Sequence, residues 1–171
     1  MLGESLLIAP KLSRLNESQW SEGSSSYLVR TYFPSSSSWY FWYDSSLVKR
    51  HDSGFTDRAV KLEEQGIYIR AGTILPIKTQ GQGLSILTSL KDPIKLSIYL
   101  DPVTQSASGS LYIDDGETFA YRTMGQRALF NFTYCNNTLY SVLLNRPARN
   151  STFIDGFFIG QIELYGTNSS F

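Results

Sequence analysis

Apolar and polar residues alternate over short runs along this chain, and clusters of Gly, Pro, Ser and Asp separate the runs. Alternation with a period of two marks a strand with one buried face, because successive side chains leave opposite faces of the extended backbone. The runs at 6–9, 27–33, 38–43, 67–70, 73–78, 84–87, 95–100, 110–113, 119–122, 129–134, 138–144, 152–158 and 161–164 are rich in Ile, Leu, Tyr and Phe and read as strands. No window sustains apolar residues at i, i+3, i+4 and i+7, so no long helix is expected. Many short strands at this spacing predict an all-β sandwich or barrel architecture.

Two breaker sites refine the picture. Asp114-Asp115-Gly116-Glu117 lies between two strand runs, and an Asp-Gly pair supplies the positive φ that tight hairpin turns need, so a hairpin is expected there. Gln80-Gly81-Gln82-Gly83 is the expected boundary between a first domain, residues 1–80, and a second, residues 81–171. Domains this small bury a limited core and are expected to lean on each other or on a further neighbour.

Composition narrows the partners. Hydrophobic residues make up 42% of the chain and aromatics 14%, enough for packed cores. Fifteen Lys and Arg balance fifteen Asp and Glu, which leaves no global field to attract nucleic acid. No segment approaches the roughly 20 apolar residues of a membrane-spanning helix. Glu4 stands where a secretory signal carries basic residues, and the apolar run after it is short. Cys135 is the only cysteine, which excludes an internal disulfide framework.

Five of the seven asparagines nevertheless head Asn-X-Ser/Thr: Asn16, Asn131, Asn136, Asn150 and Asn168. With 36 Ser and Thr in 171 residues, chance alone gives about one or two. The excess points to a secretory-pathway chain glycosylated on surface loops; a Ser-rich composition with turn-forming Asn is the alternative source. A secretory chain that opens without a signal peptide implies a true N-terminus further upstream.

Candidate chemistry is sparse. Asp114, Asp115 and Glu117 are close in sequence, but neighbouring strand residues face opposite ways and a turn exposes them to water, which raises no pKa. They read as turn residues, and their spacing is not that of an EF-hand. His51, the only histidine, lies beside Arg50 and Asp52 and reads as a solvated loop residue. A Cys135–His51 pair is the one conceivable nucleophile arrangement, yet no cation neighbours Cys135 in sequence to activate the thiol. No zinc set, phosphate-cradling loop or cofactor motif is present, so no cofactor or metal is expected. In the run Trp39-Tyr40-Phe41-Trp42-Tyr43 both faces of a strand would be aromatic, which suits burial between layers better than a sugar-stacking platform.

Four motifs carry a resemblance over nearly the whole chain. They are Met1, Gly3, Leu6, Leu7 and Pro10; Phe33-Pro34 followed by Trp42-Tyr43-Asp44; Arg70-Ala71-Gly72-Thr73-Ile74-Leu75-Pro76; and the stretch from Leu111 through Asp114-Asp115-Gly116-Glu117-Thr118-Phe119. In this order they resemble the segment that follows the catalytic barrel of glycoside hydrolase family 31 α-glucosidases. Asp92-Pro93-Ile94-Lys95-Leu96 and Thr118-Phe119-Ala120-Tyr121 are similar to the endoplasmic-reticulum processing branch, glucosidase II, more than to the lysosomal and intestinal members. The chain departs from the family by the insert at residues 35–38 and by Arg70-Ala71-Gly72 where the family has Arg-Gly-Gly.

The resemblance implies a proximal and a distal β-sandwich domain, the second incomplete at its C-terminus, with the catalytic barrel absent. A (β/α)8 barrel needs at least about 200 residues, which a chain of 171 cannot supply beside these modules. It further implies a retaining hydrolysis of α-linked glucose, with N-glycan trimming as the branch's reaction. The two catalytic Asp residues belong to motifs not found here, so no residue of this chain is carried over as catalytic. The implied partners are the barrel of the parent polypeptide, a glucosidase II β-type subunit and oligosaccharide. The implied place is the endoplasmic reticulum, with lysosome, cell surface or secretion as alternatives. Two other classes remain open: a free-standing carbohydrate-binding module that uses Trp39 or Trp42, and an inactive partner of a full-length enzyme.

Overall fold

The computed structural model describes residues 1–12, 26–34, 37–49, 54–79, 92–145 and 156–167. The expected strand at 84–87, most of that at 152–158 and the expected boundary at 80–83 lie outside these residues. The chain forms two compact units, Met1–Ala71 and Gly72–Phe171.

Among its described residues the first unit holds two sheets. In one, β1 (Leu6–Ala9), β6 (Gly66–Arg70), β3 (Trp39–Phe41) and β4 (Leu47–Lys49) run in the order β1-β6-β3-β4, each pair antiparallel. The other is the ribbon of β2 (Ser26–Phe33) and β5 (Gly54–Lys61), in register from Ser26 opposite Lys61 to Phe33 opposite Gly54. Alternation in β2 buries Val29, Thr31 and Phe33 and exposes Leu28, Arg30 and Tyr32. The buried set meets Leu7, Trp39, Phe41 and Tyr68 of the other sheet in a single core, which is a two-layer sandwich. Phe33 packs edge-on to Tyr68 with ring centroids 4.8 Å apart. Thr31 Oγ1 donates to the Tyr68 hydroxyl at 3.3 Å, so the polar pair inside this core satisfies itself.

Among the described residues the second unit forms one six-stranded sheet, in the order β11-β10-β9-β7-β8-β12. Its strands are β7 (Thr73–Lys78), β8 (Ile94–Tyr99), β9 (Ala107–Ile113), β10 (Ala128–Cys135), β11 (Thr138–Asn145) and β12 (Ile159–Tyr165). Pairing is antiparallel except between β7 and β9 and between β8 and β12. A single register pair, Thr73 opposite Ser108, joins the two three-stranded halves. The core draws on both halves, with Ile74, Ile94, Leu96 and Ile98 from one and Ala107 and Phe132 from the other. The expected all-β class is therefore what the chain adopts, and β7 belongs to the second unit although its residues precede the expected boundary.

The motif from Arg70 to Thr73 lies at the division. Arg70 Nε donates to Ser37 Oγ at 2.8 Å, and the Ala71 amide donates to Ser38 O at 2.9 Å. Gly72 then turns with φ +78°, a region that costs a side chain dearly. Its amide donates to Tyr99 O at 2.8 Å and its carbonyl accepts from the Ser108 amide at 3.0 Å.

Three local expectations need correction. Residues 119–122 are not a strand: the short helix α1 (Ala120–Thr123) stands there. Nor is 114–117 a tight hairpin, since β9 pairs with β10 and the intervening connection is long. The cause is the acidic side chains. Asp114 Oδ1 accepts the Gly116 amide at 3.0 Å, and Asp115 Oδ1 accepts the amides of Glu117 and Thr118 at 3.2 and 3.1 Å. These bonds occupy the donors that a strand ladder would use. The tight hairpin of this unit is instead β10–β11, where Asn136 and Asn137 adopt φ +50° and +57°, the left-handed pair of a two-residue primed turn. Finally, β4 and β5 are strands where none was expected.

Candidate functional site

Two of the five candidate glycosylation residues fall on described backbone, and the fold treats them differently. Asn136 is exposed at the tip of the β10–β11 hairpin, and Thr138 Oγ1 of its sequon donates to the Asn136 carbonyl at 3.3 Å. Asn131 is also exposed, but it sits within β10, paired with Ser110 on one side and Val142 on the other. Asn16, Asn150 and Asn168 lie outside the described residues, as does His51. Cys135 closes β10 as a half-buried free thiol. Among the described residues, no group of three or more His, Cys, Asp or Glu is placed to hold a metal ion.

The aromatic run divides into a buried part and an exposed part. Trp39, Tyr40 and Phe41 are buried in β3, so Trp39 cannot serve as a sugar platform. After Phe41 the chain turns. The Trp42 amide donates to Ile67 O at 3.0 Å, and Tyr43 is 42% exposed. Its hydroxyl accepts the Gln65 amide at 3.1 Å, which fixes the ring.

Asp44, the last residue of the same motif, meets Arg58 from β5. Arg58 Nη2 donates to Asp44 Oδ2 at 2.7 Å and to Ser46 Oγ at 3.2 Å. Its guanidinium lies over the Phe41 ring, 3.9 Å from the centroid, a cation–π contact. Asp44 Oδ1 accepts the Ser46 amide at 2.9 Å. Desolvation pushes the Asp44 carboxyl up, but the bonds from Ser46 and the charge of Arg58 outweigh it and hold the group below its ordinary value. Beside this cluster opens a cavity of about 340 Å³, lined by Phe41, Tyr43, Asp44, Arg58, Lys61 and Glu64 among others. Glu64 Oε2 accepts the Lys61 amide at 3.1 Å, and its other oxygen lies 3.9 Å from Lys61 Nζ. Arg58 and Glu64 were invisible as site residues in the sequence, because their role comes only from the strand and turn that carry them to Tyr43.

Two other carboxyls are also held low. Asp115 is lowered first by the Thr118 hydroxyl and then by the Thr118 amide. Glu163 is lowered first by the Tyr165 hydroxyl and then by Lys95, whose Nζ is 3.0 Å away. Each of these groups stays ionised at neutral pH, the opposite of what a proton-donating carboxyl needs.

Comparison with known proteins adds what these clusters leave open. No family model matches the sequence. The "Neutral alpha-glucosidase AB" of Homo sapiens is 32% identical over 142 residues, which is 82% of this chain and 14% of that protein. A solved glucosidase II alpha subunit, bound to alpha3-Glc2, superposes with a TM-score of 0.79 at 21% identity, over 96% of this chain and 17% of that one. The chain is homologous to the C-terminal β region of glycoside hydrolase family 31. A second solved relative is an ER glucosidase II heterodimer of a catalytic subunit and the binding domain of a regulatory subunit, with a TM-score of 0.77 at 22% identity over 95% of this chain and 16% of that one. This family 31 segment thus spans about one seventh, 14%, of the length of that curated relative. Among its described residues no helix is long and apolar enough to cross a membrane.

Proposed function

We propose that this chain is the C-terminal β region of a glucosidase II-like α-glucosidase and supports a catalytic barrel carried by the same parent polypeptide. The observation behind this reading is the coverage: the relative matches 82% of this chain, yet the match occupies 14% of the relative. On this reading the units Met1–Ala71 and Gly72–Phe171 are the proximal and distal domains. In the parent, one carboxylate attacks the anomeric carbon and a second acts as acid and then base, which is the retaining mechanism of glycoside hydrolysis. The reaction is removal of α-linked glucose from N-glycans in the endoplasmic reticulum.

The role of this chain is to hold the barrel's flank in position, so that its catalytic loops keep their geometry. The outer face of the β2–β5 ribbon, where Leu28, Tyr32 and Phe55 are exposed, has the apolar character of a surface that seeks a partner. A regulatory subunit of the glucosidase II type is the second protein partner, by likeness to the solved heterodimer. Glycans fit Asn136 best, since a hairpin tip presents its asparagine free of strand neighbours, and Asn131 less well.

The test is the size of the native polypeptide, probed with an antibody to this segment before and after enzymatic removal of N-glycans. A band several times larger than 19.3 kDa, sharpened by the enzyme, is expected. A band near that mass would overturn the reading and move a free-standing binding module ahead of it.

A further inference from the structure

The cavity beside Tyr43 has a composition that the scaffold role does not use. We propose that it is a non-catalytic saccharide subsite that takes a neutral hexopyranose. Its volume of about 340 Å³ falls in the range of small-molecule pockets, roughly 300–1,000 Å³. Its apolar wall is aromatic. Tyr43 and Phe41 stand 5.3 Å apart, tilted by 49°, and Tyr43 is the exposed ring of the run Trp39–Tyr43, in which Trp39, Tyr40 and Phe41 are buried and Trp42 is half-buried. The bond from the Gln65 amide to the Tyr43 hydroxyl fixes this ring in advance of any ligand. A flat, fixed ring is a suitable surface for the CH face of a pyranose, because it loses little side-chain freedom on contact.

The polar wall selects against charge. Asp44 and Glu64 face Arg58 and Lys61 at 2.7 and 3.9 Å, so the cavity presents both signs in balance. A phosphate or carboxylate would meet two carboxylates, and a cation would meet a guanidinium and an ammonium. A polyol meets no repulsion, since each hydroxyl both donates to carboxylate and accepts from Arg or Lys. Arg58 also carries a buried Nε without a hydrogen-bond partner, while its Nη2 is held by Asp44 and Ser46. The preference for glucose among neutral hexoses rests on the function proposed above; the cavity and its charge balance do not.

The test uses the full 171-residue chain with methyl α-glucopyranoside, methyl α-mannopyranoside and glucose 6-phosphate, read by saturation-transfer NMR and calorimetry. Expected is saturable binding of methyl α-glucopyranoside with a Kd on the order of millimolar, and no gain for the phosphorylated sugar. Tyr43→Ala and Glu64→Gln should each weaken it by about tenfold, the effect of one contact worth ~1.4 kcal/mol, while Tyr43→Phe, which keeps the ring but loses the bond from Gln65, should weaken it by less than Tyr43→Ala does. Amide spectra of the variants establish that they are folded. Binding of the mannoside in place of the glucoside, with the same sensitivity to Tyr43→Ala, supports the subsite and counts only against the glucosidase reading. No binding of either neutral sugar, tighter binding of the phosphate, or binding indifferent to both Tyr43→Ala and Glu64→Gln would overturn the proposal.

Discussion

Asp44 is where a sequence motif acquires a physical reason. It closes Trp42-Tyr43-Asp44, and its two oxygens are divided between the Ser46 amide, which shapes the turn, and Arg58, which reaches over from β5. Its side chain is 53% exposed, so solvent screens the ion pair and its contribution to stability is small. Its sign is still definite. The carboxyl titrates below its ordinary value of 3.8 when folded. The stabilisation is therefore complete at pH above that value and is lost as pH falls through the lower folded-state pKa. Following the Asp44 carboxyl carbon by NMR through an acid titration should show a midpoint below 3.8. Arg58→Met should move that midpoint upward, because one of the lowering influences is gone; a midpoint that stays put would assign the whole effect to Ser46.

At the scale of elements, the least forgiving contact is the crossing of β9 over β7. One register pair joins these strands, and a Cβ built on Gly109 would lie 2.1 Å from the Ile74 carbonyl oxygen. Backbone has to move to admit it, so Gly109→Ala should cost about 1–3 kcal/mol or more, as overpacking does, seen as a lower urea midpoint with protection lost first in β7 and β9. An unchanged midpoint would mean that the crossing has slack. Such contacts explain what the sequence revealed and what it hid. Residues 6–9 and 73–78 are apolar runs bounded by turn residues, and the structure places β1 and β7 on the same positions. In contrast, β5 contains Asp57, Arg58 and Lys61 and fully buries only Val60, so its strand character comes from β2 beside it rather than from its own composition. The connection after β9 misled in the other direction. Asp-Gly is a hairpin signal, but Asp115 bonds its own following amides, while Asn136-Asn137, which carries the hairpin, lacks the glycine that usually advertises one. The candidate site follows the same rule: Tyr43 and Asp44 stand in a recognisable motif, whereas Arg58 and Glu64 arrive only through pairing at long range.

For the whole molecule the question is what chemistry these two units can perform by themselves. Retaining glycoside hydrolysis needs a nucleophilic carboxylate and a proton-donating carboxyl about 5–5.5 Å apart across the sugar, the donor kept protonated by burial. Among the described residues the carboxyls displaced from their ordinary values, Asp44, Asp115 and Glu163, are all displaced downward by donors and cations, which makes them acceptors. The purified chain should therefore release no more 4-nitrophenol from its α-glucoside than buffer does, at any pH between 4 and 8, even if it binds sugars at the Tyr43 cavity. Binding and turnover then part company: calorimetric affinity for methyl α-glucopyranoside with no hydrolysis is the expected joint result. Turnover that survives in a glycosidase-free preparation and falls with substitution of one of this chain's own carboxylates would show that catalysis resides in these β domains, and would remove the scaffold role with it.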